Sequence, residues 1–393
     1  MSQPVDLSDD KAFVRGFAFD YFAELRARGG LHWHEATDRT PDGKGFWVAS
    51  RYHDVVAVLG DASRFGSAGN AAGARGGSTA TVSMSTADGP RHRQLRTLAG
   101  KGIAAAWLHD CPAIARRRVH DALDRILALD TFEFVGEAAR ALGSHILFDL
   151  FGVPDADRAR IVDWTYGERS GDAGKRAREA YFQDAVAARR VDPGTDALGE
   201  MIRAQAEGRP GSYLTTPEVL AFVHLVYPAG ANACAAAIAG AVKAFGEAPE
   251  QYAGLLEDPG TLDSVVEEVL RWTTPAMYAR RAACADVELD GCRIRAGQTV
   301  TAWLASANRD ERVFADPDKF DIARAPNPHL AFGFGPHACL GVGLARPALR
   351  AFLEAAREKV AGFELVGDVA WAPDNRFHCL ARLPVRLVRR SGS

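Results

Sequence analysis

Among the six cysteines of the chain, Cys339 stands in the setting that best favours a reactive thiolate. The segment Leu340–Val360 directly after it has apolar residues at helical spacing, which predicts a helix that begins beside the thiol. Free amides and the positive end of a helix dipole stabilise a thiolate there. Three glycines around it, Gly333, Gly335 and Gly341, let the backbone pass close to a flat, bulky group. A thiolate held in this way can donate electron density to an iron centre, whereas a buried cysteine on a glycine-rich turn is the ordinary alternative.

Two pairs of charged residues have the spacing that brings both side chains to one face of a helix. Glu268 and Arg271 are three residues apart in an amphipathic segment, and His92 and Arg96 are four residues apart in the basic segment DGPRHRQLR. Taken alone, the first pair is typical of a surface ion pair and the second of a solvated basic helix face.

A central stretch, Val219–Val242, carries no charged side chain over 24 residues. It is long enough to span a bilayer, but His224 and Pro228 interrupt it and few aromatic or basic residues flank it. We predict a buried central helix, apolar all round because protein surrounds it. Thr215 and Glu218 have the spacing of a capping box at its start.

The remaining periodicities predict a mainly α-helical fold with small β-sheets, formed as one domain over residues 1–393. We expect a β-rich part at about residues 30–60, 280–305 and 363–390, and a helical part at about 88–275 and 340–360. The predicted elements are helices at Asp20–Arg28, Ala113–Ile126, Val135–Phe151 and Leu262–Trp272, strands at Gly45–Ser50, Thr299–Leu304 and Val385–Val388, a hairpin at Val287–Ile294 turning at Asp290-Gly291, and a loop at 66–78.

The composition is that of a soluble globular protein, with 47% hydrophobic and 25% charged residues. A formal net charge of −3 gives no reason to expect nucleic acid or an anionic membrane as a partner. The cysteines lie far apart without a CxxC pair, which argues against a disulfide framework or a zinc site and fits a reducing cytosol. The first residues, MSQPVDLSDD, lack the features of a signal peptide, so we expect a cytoplasmic protein.

The segment Phe332–Gly341, FGFGPHACLG, matches the cysteine-loop pattern FGxGxHxCxG of the cytochrome P450 family at every fixed position. Other segments agree with the family in the same order along the chain: Asp88–Arg96, the Glu268–Arg271 pair, and the stretches Ala307–Asp310 and Phe314–Phe320. The chain therefore resembles the soluble bacterial members of this family over nearly its whole length.

The resemblance implies a fold in which haem b lies between a distal central helix and the proximal cysteine loop. It implies that Cys339 is the axial iron ligand and that Phe332, Gly333 and Gly341 belong to the loop against the haem. The residues implied to hold the haem propionates are His92, Arg96, His337 and Arg281, or Arg280 in place of Arg281. Glu268 and Arg271 would be a structural pair buried beneath the haem.

The central helix departs from the family pattern. Members of the family carry an acid and an alcohol there that relay protons to iron-bound dioxygen, but this chain has Ala229, Gly230, Asn232 and Ala233 in the corresponding segment AGANA. An amide has no titrating group that can shuttle a proton. Either a substrate hydroxyl or an ordered water replaces the missing groups, or the chemistry uses peroxide, a substrate N–O bond or radical coupling instead of activated dioxygen.

The family's pocket positions are mostly apolar in this chain, which suits a modest aromatic or terpenoid molecule. The expected pocket residues are Val82, Met84, Phe222, Leu225, Val226, Met277, Tyr278 and Phe377. The expected function is oxidative tailoring of a small, largely apolar specialised metabolite by hydroxylation, epoxidation, coupling or cyclisation. Electrons would come from a separate ferredoxin and ferredoxin reductase, drawn to a basic proximal face. The alternatives are peroxide-driven or nitrene-type chemistry and, in another class, a haem protein that binds a ligand without catalysis.

Overall fold

The internal contacts of the chain divide it into two units, each assembled from separate segments. The computed structural model describes residues 5–67, 83–167, 171–206 and 214–390, without the side chains of 101–111 and 204–206. Unit 1 comprises Met1–Thr79, Ala239–Cys339 and Ala361–Val388, and unit 2 comprises Ala80–Ile238, Leu340–Val360 and Arg389–Ser393. Most of the loop predicted at 66–78 lies outside the described residues.

Helices dominate the described chain, so the predicted fold class, mainly α with small β-sheets, is confirmed. The helices are α1 (Phe19–Arg28), α2 (Tyr52–Gly60), α3 (Gly89–Ile126), α4 (Arg140–Leu150), α5 (Asp155–Tyr166), α6 (Asp172–Val191), α7 (Ala197–Ala206), α8 (Thr216–Glu247), α9 (Pro249–Glu257), α10 (Leu262–Thr273), α11 (Leu304–Ala307) and α12 (Val342–Lys359). The strands are β1 (His32–His34), β2 (Phe46–Ala49), β3 (Phe65–Gly66), β4 (Phe132–Glu133), β5 (Tyr278–Ala283), β6 (Val287–Leu289), β7 (Cys292–Ile294), β8 (Thr299–Trp303), β9 (Val360–Leu365), β10 (Ala370–Trp371), β11 (Leu380–Arg382) and β12 (Pro384–Arg389).

Unit 1 is built around a five-stranded sheet with the order β1-β2-β8-β5-β3, in which only β2 and β8 run parallel. The predicted hairpin forms from β6 and β7, and its turn residues Asp290 and Gly291 both have positive φ angles, 46° and 73°. Both central residues of a type I′ turn need a positive φ, which explains the Asp-Gly sequence. Aromatic residues fill a core between the N-terminal segment and the sheet, where Phe22 and Trp303 are almost fully buried.

Unit 2 is helical: α3 packs against α4, α7 and α12, and α5 packs against α6. The predicted helix at 113–126 is the second half of α3, which continues through Pro112 from Gly89. Packing along its length holds this helix together where a proline removes one backbone hydrogen bond. The predicted central helix is confirmed as α8, whose apolar window has a mean hydropathy of 1.5 and is 56% buried inside the protein. At its start, Thr215 donates from its backbone N–H to the Glu218 carboxylate at 2.8 Å, as the capping-box spacing predicts.

Candidate functional site

The loop that carries Cys339 is fixed by its own backbone. The N–H of Cys339 donates to the Phe332 carbonyl, and the N–H of Gly333 donates to the Leu330 carbonyl, both at 2.8 Å. Gly333 has a φ of +70°, and a Cβ there would have no atom within 4 Å. Because Cys339 is exposed, it is not a buried cysteine on a turn, which was the ordinary alternative. The thiol is presented three residues before α12 begins at Val342.

The part of the loop around Gly335 packs tightly against the end of α2. Gly335 has a φ of +73°, and a Cβ on it would lie 2.4 Å from the Leu59 carbonyl oxygen. Only glycine fits both the backbone conformation and this approach. Gly335–His337 then forms a short 3-10 turn, so the position of His337 is set by the contact between the loop and α2.

Two of the expected propionate-binding residues lie in unit 1, and the structure distinguishes Arg281 from Arg280. Along β5 the side chain of Arg281 is buried and donates to the Arg280 carbonyl at 2.7 Å. Arg280 is half-buried and donates to the Thr299 hydroxyl at 3.3 Å. Side chains of neighbouring strand residues point to opposite faces. His337 lies 3.3 Å, measured from Nε2, from the Oγ of Ser67, a buried residue directly after β3.

A buried ionic network joins α10 to the segment that leads into the cysteine loop. Glu268 receives two hydrogen bonds of 2.8 Å from Arg271, and neither side chain has any exposed surface. The same carboxylate accepts from Arg324 Nε at 3.1 Å, from Asn327 Nδ2 at 3.1 Å and from the Asp321 N–H at 2.9 Å. Arg271 in turn donates to the carbonyls of three residues, Asn308, Pro317 and Lys319. Glu268 and Arg271 are therefore not a surface ion pair.

Arg324 and Asn327 are residues of this network that the sequence reasoning missed. They lie 56 and 59 positions after Glu268, and no local spacing connects them to it. The arginine also donates to three backbone carbonyls, those of Ala315, Asp316 and Lys319, so it braces the chain between α11 and the cysteine loop.

In unit 2, α3 carries the other two expected propionate-binding residues on one face. His92 is 3% exposed, and Arg96, one helical turn later, is half-buried. Arg91 forms an ion pair with Glu218 at the start of α8, and Arg93 is exposed. The positive charge of Arg91 is thus partly neutralised by the Glu218 carboxylate.

Part of the surface of α8 remains accessible to solvent. Within its uncharged stretch, Val219–Val242, Ala221, His224 and Pro228 are half-buried, and so is a stripe of six further residues: Leu225, Val226, Ala229, Gly230, Asn232 and Ala233. They recur at three- to four-residue spacing, which is one helix face. Tyr227, Ala231 and Cys234 are buried on the opposite side, where a Cβ at Gly143 of α4 would lie 2.4 Å from the Ala231 carbonyl. Cys234 therefore does not share the face of Ala233.

The expected pocket residues are placed differently from one another. Met84, Leu225, Val226, Tyr278 and Phe377 are half-buried, whereas Phe222 is 5% exposed and Val82 lies outside the described residues. Phe377 forms an isolated antiparallel bridge with Ala276. The structure places Met277 in the aromatic core of unit 1 with 0% exposure, which leaves no side-chain surface for a substrate. The rings of Tyr278 and Trp303 lie 4.7 Å apart at a tilt of 34°. Met277 is therefore a core residue, whereas the half-buried Tyr278 remains an expected pocket residue.

Comparisons with known proteins show the family of the chain. The family model "Cytochrome P450" matches residues 255–356, which include α10 and the cysteine loop. The chain is 34% identical to putative cytochrome P450 126 of Mycobacterium tuberculosis, over 98% of this chain and 97% of that protein. The chain belongs to the cytochrome P450 family. Cytochrome P450 NovI of Streptomyces niveus is 31% identical over 98% of this chain and 97% of its own length. The structure of Mycobacterium marinum cytochrome P450 CYP268A2 in complex with pseudoionone superposes with a TM-score of 0.84, at 31% identity over 98% of this chain and 99% of that one.

The residues of this cytochrome P450 fit the haem b that the family uses. Cys339 supplies an exposed thiol as the single candidate ligand at the start of a long helix. The part of the chain that the structure describes holds no group of three or more His, Cys, Asp or Glu side chains placed for a metal ion. The stripe of α8 is apolar apart from Asn232.

Proposed function

We propose that this cytochrome P450 binds haem b through Cys339 and oxidises a small, largely apolar metabolite. The exposed thiol at the start of α12 carries the proposal, since a thiolate there is stabilised by the helix end. The bound haem would supply the oxidising iron centre, and the thiolate would push electron density towards it. The protein provides the ligand, the charge balance and the shape of the pocket.

The proposed propionate-binding residues are His92 and Arg96 of α3, Arg281 of β5 and His337 of the cysteine loop. Hydrogen bonds from charged donors to a carboxylate are worth on the order of 1.5–3 kcal/mol each. The burial of His92 and Arg281 supports their assignment, because a carboxylate partner that is shielded from water gains more from each bond. We assign Arg281 rather than Arg280 because only Arg281 has its side chain on the buried face of β5.

The substrate class follows from the accessible stripe of α8. Leu225, Val226, Ala229 and Ala233 present only aliphatic surface, and Asn232 offers one amide that can both donate and accept. Such a surface selects an apolar molecule with few polar groups. The neighbour crystallised with pseudoionone, a ligand of that chemical character, supports a terpenoid or aromatic substrate.

The same stripe separates two mechanisms. Neither Asn232 nor Ala233 has a titrating group that could deliver a proton, and Cys234 lies on the buried side of the helix. Dioxygen activation by this chain would need a hydroxyl of the substrate or an ordered water as the proton source. The second candidate is chemistry without dioxygen activation, in which peroxide or a substrate N–O bond acts as the oxidant.

The proposed partners are a small-molecule substrate, a ferredoxin and its reductase; redox-neutral or peroxide-driven turnover would not need the two proteins. Arg93 is exposed, so it supports a basic docking surface for an acidic ferredoxin. We propose a cytoplasmic location and no nucleic-acid or membrane partner, in keeping with the burial of α8 and the net charge of −3. A haem protein that only binds a ligand is the remaining alternative class.

The test compares wild-type enzyme with the double variant Asn232→Asp, Ala233→Thr, using pseudoionone as the probe, NADPH, a ferredoxin and its reductase. A positioned proton donor is worth about 10²–10⁴-fold in rate. We expect the wild type to release most electrons as peroxide and the double variant to form more product per NADPH. Tight coupling in the wild type that the double variant leaves unchanged would contradict the role given to this stripe.

A parallel reaction without oxygen or reductant, with hydrogen peroxide or an O-acyl hydroxylamine as the added oxidant, distinguishes the second candidate. Product in this arm establishes a route that does not use dioxygen. Product only with oxygen and NADPH supports a substrate-assisted monooxygenase. No product in any arm across a panel of apolar probes that bind the haem pocket would favour the non-catalytic class.

A further inference from the structure

Ser67 holds the imidazole of His337 through a direct contact that no family motif contains. Its Oγ lies 3.3 Å from His337 Nε2, and the serine is 1% exposed. We propose that Ser67 is a positioning residue for the haem site, acting through His337. This inference rests on the proposed function, in which His337 binds a haem propionate.

The fold brings the serine to this point from two directions. Strand β3 pairs antiparallel with β5, with Phe65 opposite Ala283 and Gly66 opposite Ala282. One further step along this register brings Ser67 to the level of Arg281. The cysteine loop reaches the same region because Gly335 is clamped onto the end of α2, the helix that precedes β3. Ser67 thus lies where the strand edge that carries Arg281 meets the turn that carries His337.

The hydroxyl supplies the hydrogen bond that completes the tautomer of His337 which a propionate requires. A neutral imidazole has one N–H donor and one acceptor nitrogen. When the serine O–H donates to Nε2, the proton is on Nδ1, and Nδ1–H is the donor that a carboxylate can accept. The opposite arrangement, with Nε2–H donating to the serine, would turn a lone pair towards that carboxylate. A hydrogen bond at one ring nitrogen sets the tautomer in the same way for metal-bound histidines.

Serine suits this role because its hydroxyl donates and accepts and occupies little volume. Alanine at this position would remove the bond with almost no change in packing, and threonine would keep the hydroxyl. The difference between the alanine and threonine variants therefore reports the hydrogen bond rather than the fold.

The experiment measures the rate of haem loss to excess apomyoglobin and the iron midpoint potential for wild type, Ser67→Ala and Ser67→Thr holoenzyme. The loss of one hydrogen bond of ordinary strength corresponds to about a threefold to tenfold change in an equilibrium or rate. We expect Ser67→Ala to lose haem about three to ten times faster and to shift the potential, while Ser67→Thr stays within twofold of wild type. Ser306→Ala is the matched control, since Ser306 is also buried in unit 1 and donates to the Ser50 carbonyl at 2.7 Å.

A double-mutant cycle with His337→Ala decides whether the serine acts through the histidine. We expect Ser67→Ala to change haem loss by less than twofold when His337 is already alanine. An equal acceleration in both backgrounds, no acceleration in either, or the same acceleration in Ser306→Ala would overturn the proposal. The failure of the proposed function would look different, because wild-type protein would then lack the absorption spectrum of thiolate-bound haem from the outset.

Discussion

Glu268 is the residue whose replacement the structure predicts to be most damaging outside the haem ligand. Its carboxylate is fully buried and accepts five hydrogen bonds, two of them from Arg271 and one each from Arg324, Asn327 and the Asp321 amide. Glu268→Ala would leave two buried guanidinium groups without this carboxylate. Breaking a buried ion pair by removing one partner costs about 3–5 kcal/mol. A whole domain is stable by about 5–15 kcal/mol, so this single change consumes a large fraction of the stability.

The assay is urea unfolding followed by circular dichroism, together with the soluble yield and the haem content of purified protein. We expect Glu268→Ala to be largely insoluble or haem-free, because Arg271 and Arg324 tie α10 to the chain that leads into the cysteine loop. Glu268→Gln keeps the size but turns an N–H donor towards a donor of Arg271 in either orientation of the amide, so we expect it to be nearly as unstable.

Glu354 of α12 provides the matched control. It pairs with Arg350 four residues earlier at 2.9 Å, and both side chains are partly exposed. Exposed pairs contribute about 0–1 kcal/mol, so Glu354→Ala should retain yield, haem and stability. Equal loss of stability in Glu268→Ala and Glu354→Ala, or a normal yield of haem-loaded Glu268→Ala, would refute the reasoning.

Two titratable side chains, the half-buried His378 and the buried Asp54, predict opposite effects of pH on stability, and both are tested by urea unfolding at several pH values. Burial lowers the pKa of His378, which stacks on Trp371, to about 4. The unfolded chain therefore binds a proton between about pH 6.5 and 4 that the folded protein does not, so stability falls by up to about 3 kcal/mol as pH drops through this window, and His378→Phe should remove this dependence. Burial, reinforced by Asp290, raises the pKa of Asp54 to about 6. The contribution of Asp54 to stability is complete below pH 3.8 and is lost as pH rises through 6. The Asp54→Asn variant should therefore be more stable than wild type by up to about 3 kcal/mol at pH 7.5. An Asn variant no more stable than wild type at that pH would exclude a buried charge at this position.

Local sequence signals sufficed for much of the fold. The Asp290-Gly291 turn, the central helix and the helix after the cysteine loop each follow from residues close together in the chain. In each case the signal is a backbone requirement or an unbroken periodicity, and no distant partner is needed to form it. The predicted start of α3, Ala113, was wrong. Pro112 is a local signal for the end of a helix, but α3 begins at Gly89 and continues through Pro112 because it packs against neighbouring helices.

The candidate site shows where local signals end. The Glu268–Arg271 spacing predicted a helical pair, but its burial depends on Arg324 and Asn327, which arrive from a remote segment. The position of Met277 in the sequence predicted a pocket residue, but its side chain belongs to the buried cluster that contains the aromatic rings of the N-terminal segment. Ser67 carries no motif, and its contact with His337 exists only because β3, α2 and the cysteine loop converge. A contact between segments so far apart in the chain forms only in the folded protein, and no periodicity in the sequence predicts it.

The most direct test of the account is the carbon monoxide difference spectrum of the reduced, haem-loaded protein and of its Cys339→His variant. A thiolate ligand gives the strongly red-shifted Soret band of its class, and Cys339 is the cysteine that the loop presents exposed before α12. Wild-type protein should show this band, and Cys339→His should move it to the position of imidazole-ligated haem. Cys284→Ser, which alters another exposed cysteine, should leave it in place. An unchanged red-shifted band in Cys339→His would contradict the central claim.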